Sequence, residues 1–372
     1  MAKPYIDEEE EKLVLEVLRS GTLSIGPKIE EFEKRFSEML GVKYASAVSS
    51  GTAALHLALI ALGIKEGDEV ITSPFSFVAS ANAILYMGAK PVFADVDPLT
   101  FNMDPKEAEK KITPKTKAIL PVHIFGQSCG MRPITELAKR HNLKVIEDAC
   151  ESIMAEHKGQ KVGTFGDAAA FSFYPNKQMT TGEGGMIVTN DEKIDSLCRS
   201  LRNQGRAQNM QWLDHQMLGY NYRITEMGAA LGIGQLKKLA GVIEKRREIA
   251  GWYEEEIKKY DDLLIAPETH PDNTHTWFLY VARIKNPQIN RDEVIKKMAE
   301  FGIATKPYLP SIHLFDFYRK GFGFKEGDFP VSEAISSSSV ALPFYIGLEK
   351  SDTEYICRKL AETVKGYKID GV

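Results

Sequence analysis

Three short stretches carry residues whose types and spacing could do chemistry together. Ser50-Gly51-Thr52 ends a β-rich run and opens the apolar stretch Ala53 to Leu62. The first N–H groups of a helix have no intrahelical acceptor, so a glycine permitting close approach and a neighbouring hydroxyl make this an anion site suited to phosphate. The same residues would also serve as a plain helix cap. Val145-Ile146-Glu147-Asp148 is an apolar run closed by two carboxylates, at the edge where open α/β sheets bind their ligands. Strand alternation turns Glu147 and Asp148 to opposite sides, although a carboxylate there could equally cap the next helix. Phe171-Ser172-Phe173-Tyr174-Pro175-Asn176 leads Lys177 into a turn, followed by Thr180-Thr181-Gly182-Glu183-Gly184-Gly185. A lone lysine is ordinarily a solvated surface residue; the company of the other two stretches makes this one a candidate for covalent chemistry.

Together these are the requirements of pyridoxal 5'-phosphate. The lysine forms an imine with the aldehyde, which needs an amine neutral part of the time against an ordinary pKa of about 10.4. The carboxylate keeps the ring nitrogen protonated, so that the ring absorbs the electron pair left when a bond to the amine-bearing carbon breaks. The phosphate takes the helix terminus. An aromatic face should cover the ring, and Phe77, in Pro74-Phe75-Ser76-Phe77-Val78, is placed either to supply it or to pack in the core. No nucleotide P-loop spacing and no G-x-G-x-x-G after a strand competes with this reading.

The elements that must position these residues follow from the hydrophobic pattern. Between residues 44 and 190, β-rich runs alternate with helix-like segments, which predicts an α/β domain with a mainly parallel sheet covered on both faces. The strands expected are Tyr44 to Ser49, Glu69 to Thr72, Pro91 to Asp95, Lys117 to Val122, Lys144 to Asp148, Ala168 to Phe173 and Gly185 to Thr189. Helices are expected over Ala53 to Leu62, Phe77 to Tyr86, Pro105 to Ile112 and Ile134 to His141. Helical periodicity from Thr225 to Tyr260 then leads into a smaller α+β domain. There Thr276 to Ile284 and Ile303 to Tyr308 read as strands, and Arg291 to Glu300 and Asp352 to Lys365 as helices. The expected boundary lies near residue 250, giving a cofactor-binding domain over 1–250 and a C-terminal domain over 251–372.

Composition narrows the function classes. With 372 residues, 43% of them hydrophobic, the chain is long enough for about two domains with sizeable cores. A net charge of −4 with acidic and basic residues interspersed offers no attraction to nucleic acid or an anionic membrane. The longest apolar stretch, Ala53 to Ile64, is interrupted by His56 and too short to span a bilayer. The acidic run Asp7 to Glu10 stands where a signal peptide would need positive charge, so the expected compartment is the cytoplasm. The 4 cysteines lie far apart with no CxxC, against a zinc cluster or a disulfide framework.

The ordered motifs Gly26-Pro27, Ser50-Gly51-Thr52-Ala53-Ala54-Leu55, Glu147-Asp148-Ala149, Phe171-Ser172-Phe173 through Lys177, Gly182-Glu183-Gly184-Gly185, Gly219-Tyr220-Asn221-Tyr222-Arg223 and Leu342-Pro343 resemble those of the DegT/DnrJ/EryC1/StrS family. That resemblance covers nearly the whole chain. It implies a fold type I pyridoxal-phosphate-dependent aminotransferase, which takes an amino group from an amino acid, with L-glutamate expected, and passes it to a keto sugar on a nucleotide diphosphate. It implies that Lys177 is the Schiff-base lysine and proton-moving base, and that Asp148 is the partner of the pyridine nitrogen. Gly51, Thr52 and Ser172 would be phosphate ligands, Phe77 the ring-stacking aromatic, and Asn221 a residue sent across a homodimer interface to the neighbouring subunit's phosphate. Glu151 stands where many relatives have Gln or His; it would either raise the local negative potential or bind a substrate hydroxyl. Tyr174, Tyr308 and His313 are further candidates for the substrate cleft, His313 being as well suited to a packed loop. A related sugar dehydratase would carry histidine in place of Lys177. A regulatory or metabolite-binding protein on the same scaffold would need a DNA-binding segment or basic patch that the sequence lacks.

Overall fold

The computed structural model describes residues 4–207 and 214–367. The β-rich runs form one seven-stranded sheet, in the spatial order Tyr44–Val48, Gly185–Thr189, Ala168–Ser172, Lys144–Asp148, Thr116–Leu120, Glu69–Thr72, Lys90–Phe93. Only Gly185–Thr189 runs antiparallel to its neighbours; the other pairings are parallel. Strands buried on both faces read as continuous apolar runs, and each observed strand lies within a residue or two of its expected span.

Helices cover both faces. Helix Gly51–Ala61 is apolar on every side and buried from Ala53 to Leu59, because it lies between the sheet and other helices. The alanines of Ala168–Ser172 leave room for it. The acidic run at the start of the chain is a helix N-terminus. Asp7 and Glu10 form a capping box for helix Glu8–Ser20, and carboxylates in a first turn oppose the positive end of the helix dipole.

Helix Glu226–Ile257 serves two cores. Ala229, Ala230, Ile233, Leu239 and Ile243 pack with helix Pro27–Leu40, whereas Ile249, Ala250, Tyr253 and Ile257 enter a C-terminal core. That core also holds a four-stranded antiparallel sheet ordered Leu264–Ile265, Val281–Ile284, Ser339–Ala341, Lys306–Pro307, with helices Arg291–Glu300 and Lys350–Lys365 against it. The strand expected over Thr276 to Ile284 is shorter than its sequence pattern. Thr276 N–H donates to the Gly126 carbonyl and Phe278 N–H to the Phe125 carbonyl, so this stretch is docked on a loop of the large sheet instead of pairing in the small one. Among the described residues no helix is long and apolar enough to cross a membrane.

Candidate active site

The parallel strands end at a common edge, and there the connecting loops enclose a cavity of about 330 Å³. Gly51 and Thr52 form one wall, as the first two residues of their helix. The Ser50 hydroxyl accepts the Ala53 N–H at 3.0 Å, and the N–H groups of Gly51 and Thr52 precede the reach of the intrahelical ladder. Ser50 thus caps the helix, and among the described residues the next two amides have no intrahelical acceptor, an arrangement that suits an anion. A Cβ on Gly51 would sit 2.8 Å from both Cys150 Sγ and Ser172 Cβ, so only glycine lets the helix mouth close against Ser172.

Alternation at the end of Lys144–Asp148 separates the two carboxylates. Glu147 is fully buried. Its Oε1 accepts the N–H groups of Phe165 and Gly166 at 2.8 Å each, and its Oε2 accepts that of Gly163 at 2.8 Å. His123 Nε2 lies 3.0 Å from the same oxygen. Because His123 Nδ1 accepts the Cys129 N–H at 3.0 Å, the imidazole proton belongs on Nε2 and is donated to Glu147. Asp148 faces the other way, into the cavity. Its Oδ2 accepts the Ser80 hydroxyl at 2.6 Å and its Oδ1 the Cys150 N–H at 3.1 Å.

Lys177 enters on a turn closed by its own N–H to the Tyr174 carbonyl at 2.9 Å. The side chain is 13% exposed. Its Nζ lies 3.4 Å from Glu151 Oε1 and 4.0 Å from the centroid of the Phe278 ring, a cation held over an aromatic face. Burial pushes the Glu151 carboxyl above the usual range, with Asp148 acting in the same direction and Lys177 against it. Burial likewise pushes the Cys150 thiol well up, which leaves it a poor nucleophile. Phe77 and Tyr174 line the mouth while remaining 59% and 49% exposed, and Tyr308 lines the interior.

Gly51, Thr52, Phe77, Asp148, Glu151, Ser172, Tyr174, Lys177 and Tyr308 are thus brought to one cavity. Two candidates are not. Asn221 is exposed on a connecting segment outside it. His313 is buried elsewhere, with Nε2 3.0 Å from Glu333 Oε1 and its ring edge-on to Phe329. Its turn is pinned by the Ile312 N–H to the Pro74 carbonyl at 2.8 Å, so the imidazole fills an aromatic cluster and does not reach the cleft. Three contributors had no local signal in the sequence. Ser80 and Cys150 are ordinary by type, and Phe278 arrives from the C-terminal part of the chain. Among the described residues there is no group of three or more His, Cys, Asp or Glu able to hold a metal ion.

The donor set fits pyridoxal phosphate. A pair of free helix amides with the Ser172 hydroxyl suits a phosphate, the inward carboxylate suits a protonated ring nitrogen, the half-exposed Phe77 suits a ring face, and the turn lysine suits an aldehyde.

The sequence profile of the DegT/DnrJ/EryC1/StrS aminotransferase family matches residues 4–361. The GDP-perosamine synthase of Caulobacter vibrioides is 40% identical over 366 residues, covering 98% of this chain and 98% of that protein. Among solved structures, Helicobacter pylori PseC, an aminotransferase involved in the biosynthesis of pseudoaminic acid, superimposes with a TM-score of 0.93 at 30% identity, over 98% of this chain and 99% of its own. A putative sugar aminotransferase of Streptococcus pneumoniae in its PLP form does so with a TM-score of 0.92 at 26% identity, over 98% of each chain.

Proposed function

The chain belongs to the DegT/DnrJ/EryC1/StrS aminotransferase family, and from that premise we propose that it moves an amino group from an amino acid to a keto sugar carried on a nucleotide diphosphate, using pyridoxal phosphate. L-Glutamate is the expected donor. The observation that carries the reading is that Lys177 Nζ, Asp148 and the Gly51–Thr52 helix mouth share one cavity. Relatives that bear the names of a GDP-sugar synthase and a sugar-biosynthetic aminotransferase support the choice of substrate.

When bound, pyridoxal phosphate supplies an electron sink that lets a bond at the amine-bearing carbon break heterolytically. The chain's own groups do the rest. Gly51, Thr52 and Ser172 hold the phosphate. Asp148, fixed by Ser80 and the Cys150 amide, stays oriented toward the ring nitrogen. Phe77 covers a ring face and shields it from water. Lys177 Nζ is the covalent anchor and, once released, the base that moves a proton between substrate carbon and cofactor. Tyr174 and Tyr308 face the space left for the sugar. Asn221, outside its own cavity, reaches the phosphate held by a second copy, so the working unit is a homodimer with shared sites. The expected compartment is the cytoplasm.

The test is a panel of nucleotide-linked keto sugars incubated with the protein, pyridoxal phosphate and L-glutamate, and scored by mass spectrometry for gain of an amine. Conversion of at least one sugar is expected. The proposal fails if no sugar gains nitrogen and if borohydride reduction leaves no pyridoxyl group on Lys177.

A further inference from the structure

Lys177 Nζ has two close neighbours of different kinds. Glu151 Oε1 offers a carboxylate oxygen at 3.4 Å, and Phe278 offers a ring face whose centroid is 4.0 Å away. The ring is fully buried, and the stretch that carries it is fastened on three sides. The Phe278 N–H donates to the Phe125 carbonyl at 2.8 Å, and the Thr276 N–H to the Gly126 carbonyl at 2.9 Å. The Trp277 and Phe278 carbonyls accept from Nη1 of Arg246, on helix Glu226–Ile257, at 3.1 and 3.2 Å. Thr276 Oγ1 lies 3.3 Å from Nε2 of Gln178, the residue next to Lys177. Gly126 permits this crossing: its φ is +103°, and a Cβ there would lie 2.6 Å from the Trp277 nitrogen. Filling a gap in the core would account for the burial of Phe278, but not for the face it presents to the amine.

We propose that the Phe278 ring is the seat of the positive charge on Lys177 Nζ, keeping that nitrogen cationic both as the free ammonium and after it has joined an aldehyde. This rests on the function proposed above. When an ammonium condenses with an aldehyde, two of its protons leave with the aldehyde oxygen as water, and the nitrogen keeps the third proton and the positive charge. A partner that attracts a cation without carrying a charge of its own suits both states. An aromatic face does so through its quadrupole, most strongly where water is excluded, and the Lys177 side chain is 13% exposed. The retained charge has a use, because a carbon doubly bonded to a protonated nitrogen is attacked by an incoming amine far more readily than one bonded to a neutral nitrogen. The titratable groups that share the cavity with Nζ are Asp148, Cys150, Glu151, Tyr174, Glu183 and Tyr308. The stretch Thr276 to Phe278 carries none of them, so a change of ring leaves their number and charge as they are. Tyr308 meets the Phe278 ring edge-on, with centroids 6.4 Å apart, and burial keeps its hydroxyl protonated and neutral. Arg246, the charged group that meets this stretch from the long helix, binds its carbonyls.

Replacing Phe278 in the full-length protein by phenylalanines of increasing ring fluorination keeps the shape of the ring nearly constant and weakens its quadrupole in steps. Each form is loaded with pyridoxal phosphate and titrated by its visible absorbance, which reports whether the nitrogen joined to the aldehyde is protonated. Losing a partner of the cation makes the neutral form easier to reach, so the pH midpoint is expected to fall with every added fluorine. In Phe278→Leu it should fall by about 0.4 to 1.5 pH units. A midpoint that stays the same across the fluorine series overturns the proposal, and so does one that moves in Phe278→Leu alone, which would be an effect of packing. The fluorinated forms decide the matter even if Phe278→Leu does not fold. If borohydride reduction and peptide mass find no pyridoxyl group on Lys177 of the wild type, the functional reading itself fails and this proposal with it. A joined cofactor with an unmoved midpoint overturns the charge seat alone.

Discussion

Exchanging each of the adjacent carboxylates Glu147 and Asp148 for its amide should separate what holds the sheet edge together from what serves the site. Glu147 receives four donors, two on each oxygen. In Glu147→Gln one carboxamide oxygen satisfies one pair, and the amide nitrogen then confronts the other pair, donor against donor. A stranded buried donor costs about 1–3 kcal/mol, so two cost about 2–6 kcal/mol, with the lower half favoured because the variant also relieves a buried charge. Asp148→Asn is different. One oxygen keeps the Cys150 amide, and the new amide nitrogen can donate to the Ser80 hydroxyl, which turns as its neighbours require and already shares a hydrogen with Ser76 at 2.7 Å. Its stability loss should stay below about 1 kcal/mol, while cofactor affinity falls by the value of a charged hydrogen bond, about 1.5–3 kcal/mol or roughly 10- to 150-fold. Urea unfolding of the cofactor-free proteins, read as a shift in midpoint at constant slope, gives the first quantity; fluorescence titration with pyridoxal phosphate gives the second. If the two variants lose equal stability, or if Glu147→Gln is neutral while Asp148→Asn unfolds, the division of labour described here is wrong.

Other consequences are open to measurement. Gly51→Ala places a methyl group 2.8 Å from Cys150 Sγ and Ser172 Cβ; relief of that contact should cost about 1–3 kcal/mol and weaken pyridoxal phosphate binding at least tenfold, whereas wild-type affinity would refute the close-approach argument. Lys177→Ala and Asn221→Ala should each be inactive as pure proteins, yet refolding them together should restore activity to mixed dimers that pair Lys177 of one chain with Asn221 of the other. Absence of complementation would rule out the shared site. Burial alone would raise the Glu33 carboxyl, but Arg202 and Arg199 outweigh it and hold it below the ordinary range. A depressed folded-state pKa contributes stability that is present above the unfolded value of about 4.3 and lost as pH falls through the folded one. The thermal midpoint advantage of wild type over Glu33→Gln should therefore shrink below about pH 4, and a constant advantage down to pH 2 would contradict the assignment.

Much of the framework was legible because a parallel sheet imposes a strong local pattern. Val145-Ile146 and Ala168-Ala169-Ala170 are buried on both faces, so burial writes itself into adjacent residues. The Thr276 to Ile284 stretch misled for the same reason. Apart from Thr276 and Arg283 it is apolar and β-like, but its first half is spent on hydrogen bonds to Phe125 and Gly126, a tertiary choice that no periodicity records. The site shows the same split. Lys177, Asp148 and Gly51 could be read from residue type and from their places at strand ends, which topology brings to one edge. Phe278 beneath Lys177 and Ser80 on Asp148 could not, because nothing local distinguishes a phenylalanine or serine that will meet these two side chains. His313 stands between these limits: its sequence neighbourhood suits a cleft residue and a packed loop histidine equally, and the docking of its turn on Pro74 seats it among phenylalanines, as the second reading has it.

The arrangement around Asp148 has a physical rationale that reaches beyond one pair of residues. A buried carboxylate must be satisfied wherever it sits, and in Glu147 the fold meets that demand completely with fixed backbone donors and a histidine. Asp148, one position later, is met among the described residues by a rotatable hydroxyl and a single backbone amide, and it faces the cavity. Because the strand alternates, each carboxylate experiences the opposite face, so the stability of the edge does not depend on what the cavity binds. Lys177 follows the same rule by a different route. Its Nζ rests on Glu151 and Phe278, contacts that involve no backbone hydrogen bond whose loss would disturb the fold. Under the proposed function, a site built from such exchangeable partners would let a covalent bond to the chain form and break in every cycle while the sheet beneath it stays unchanged.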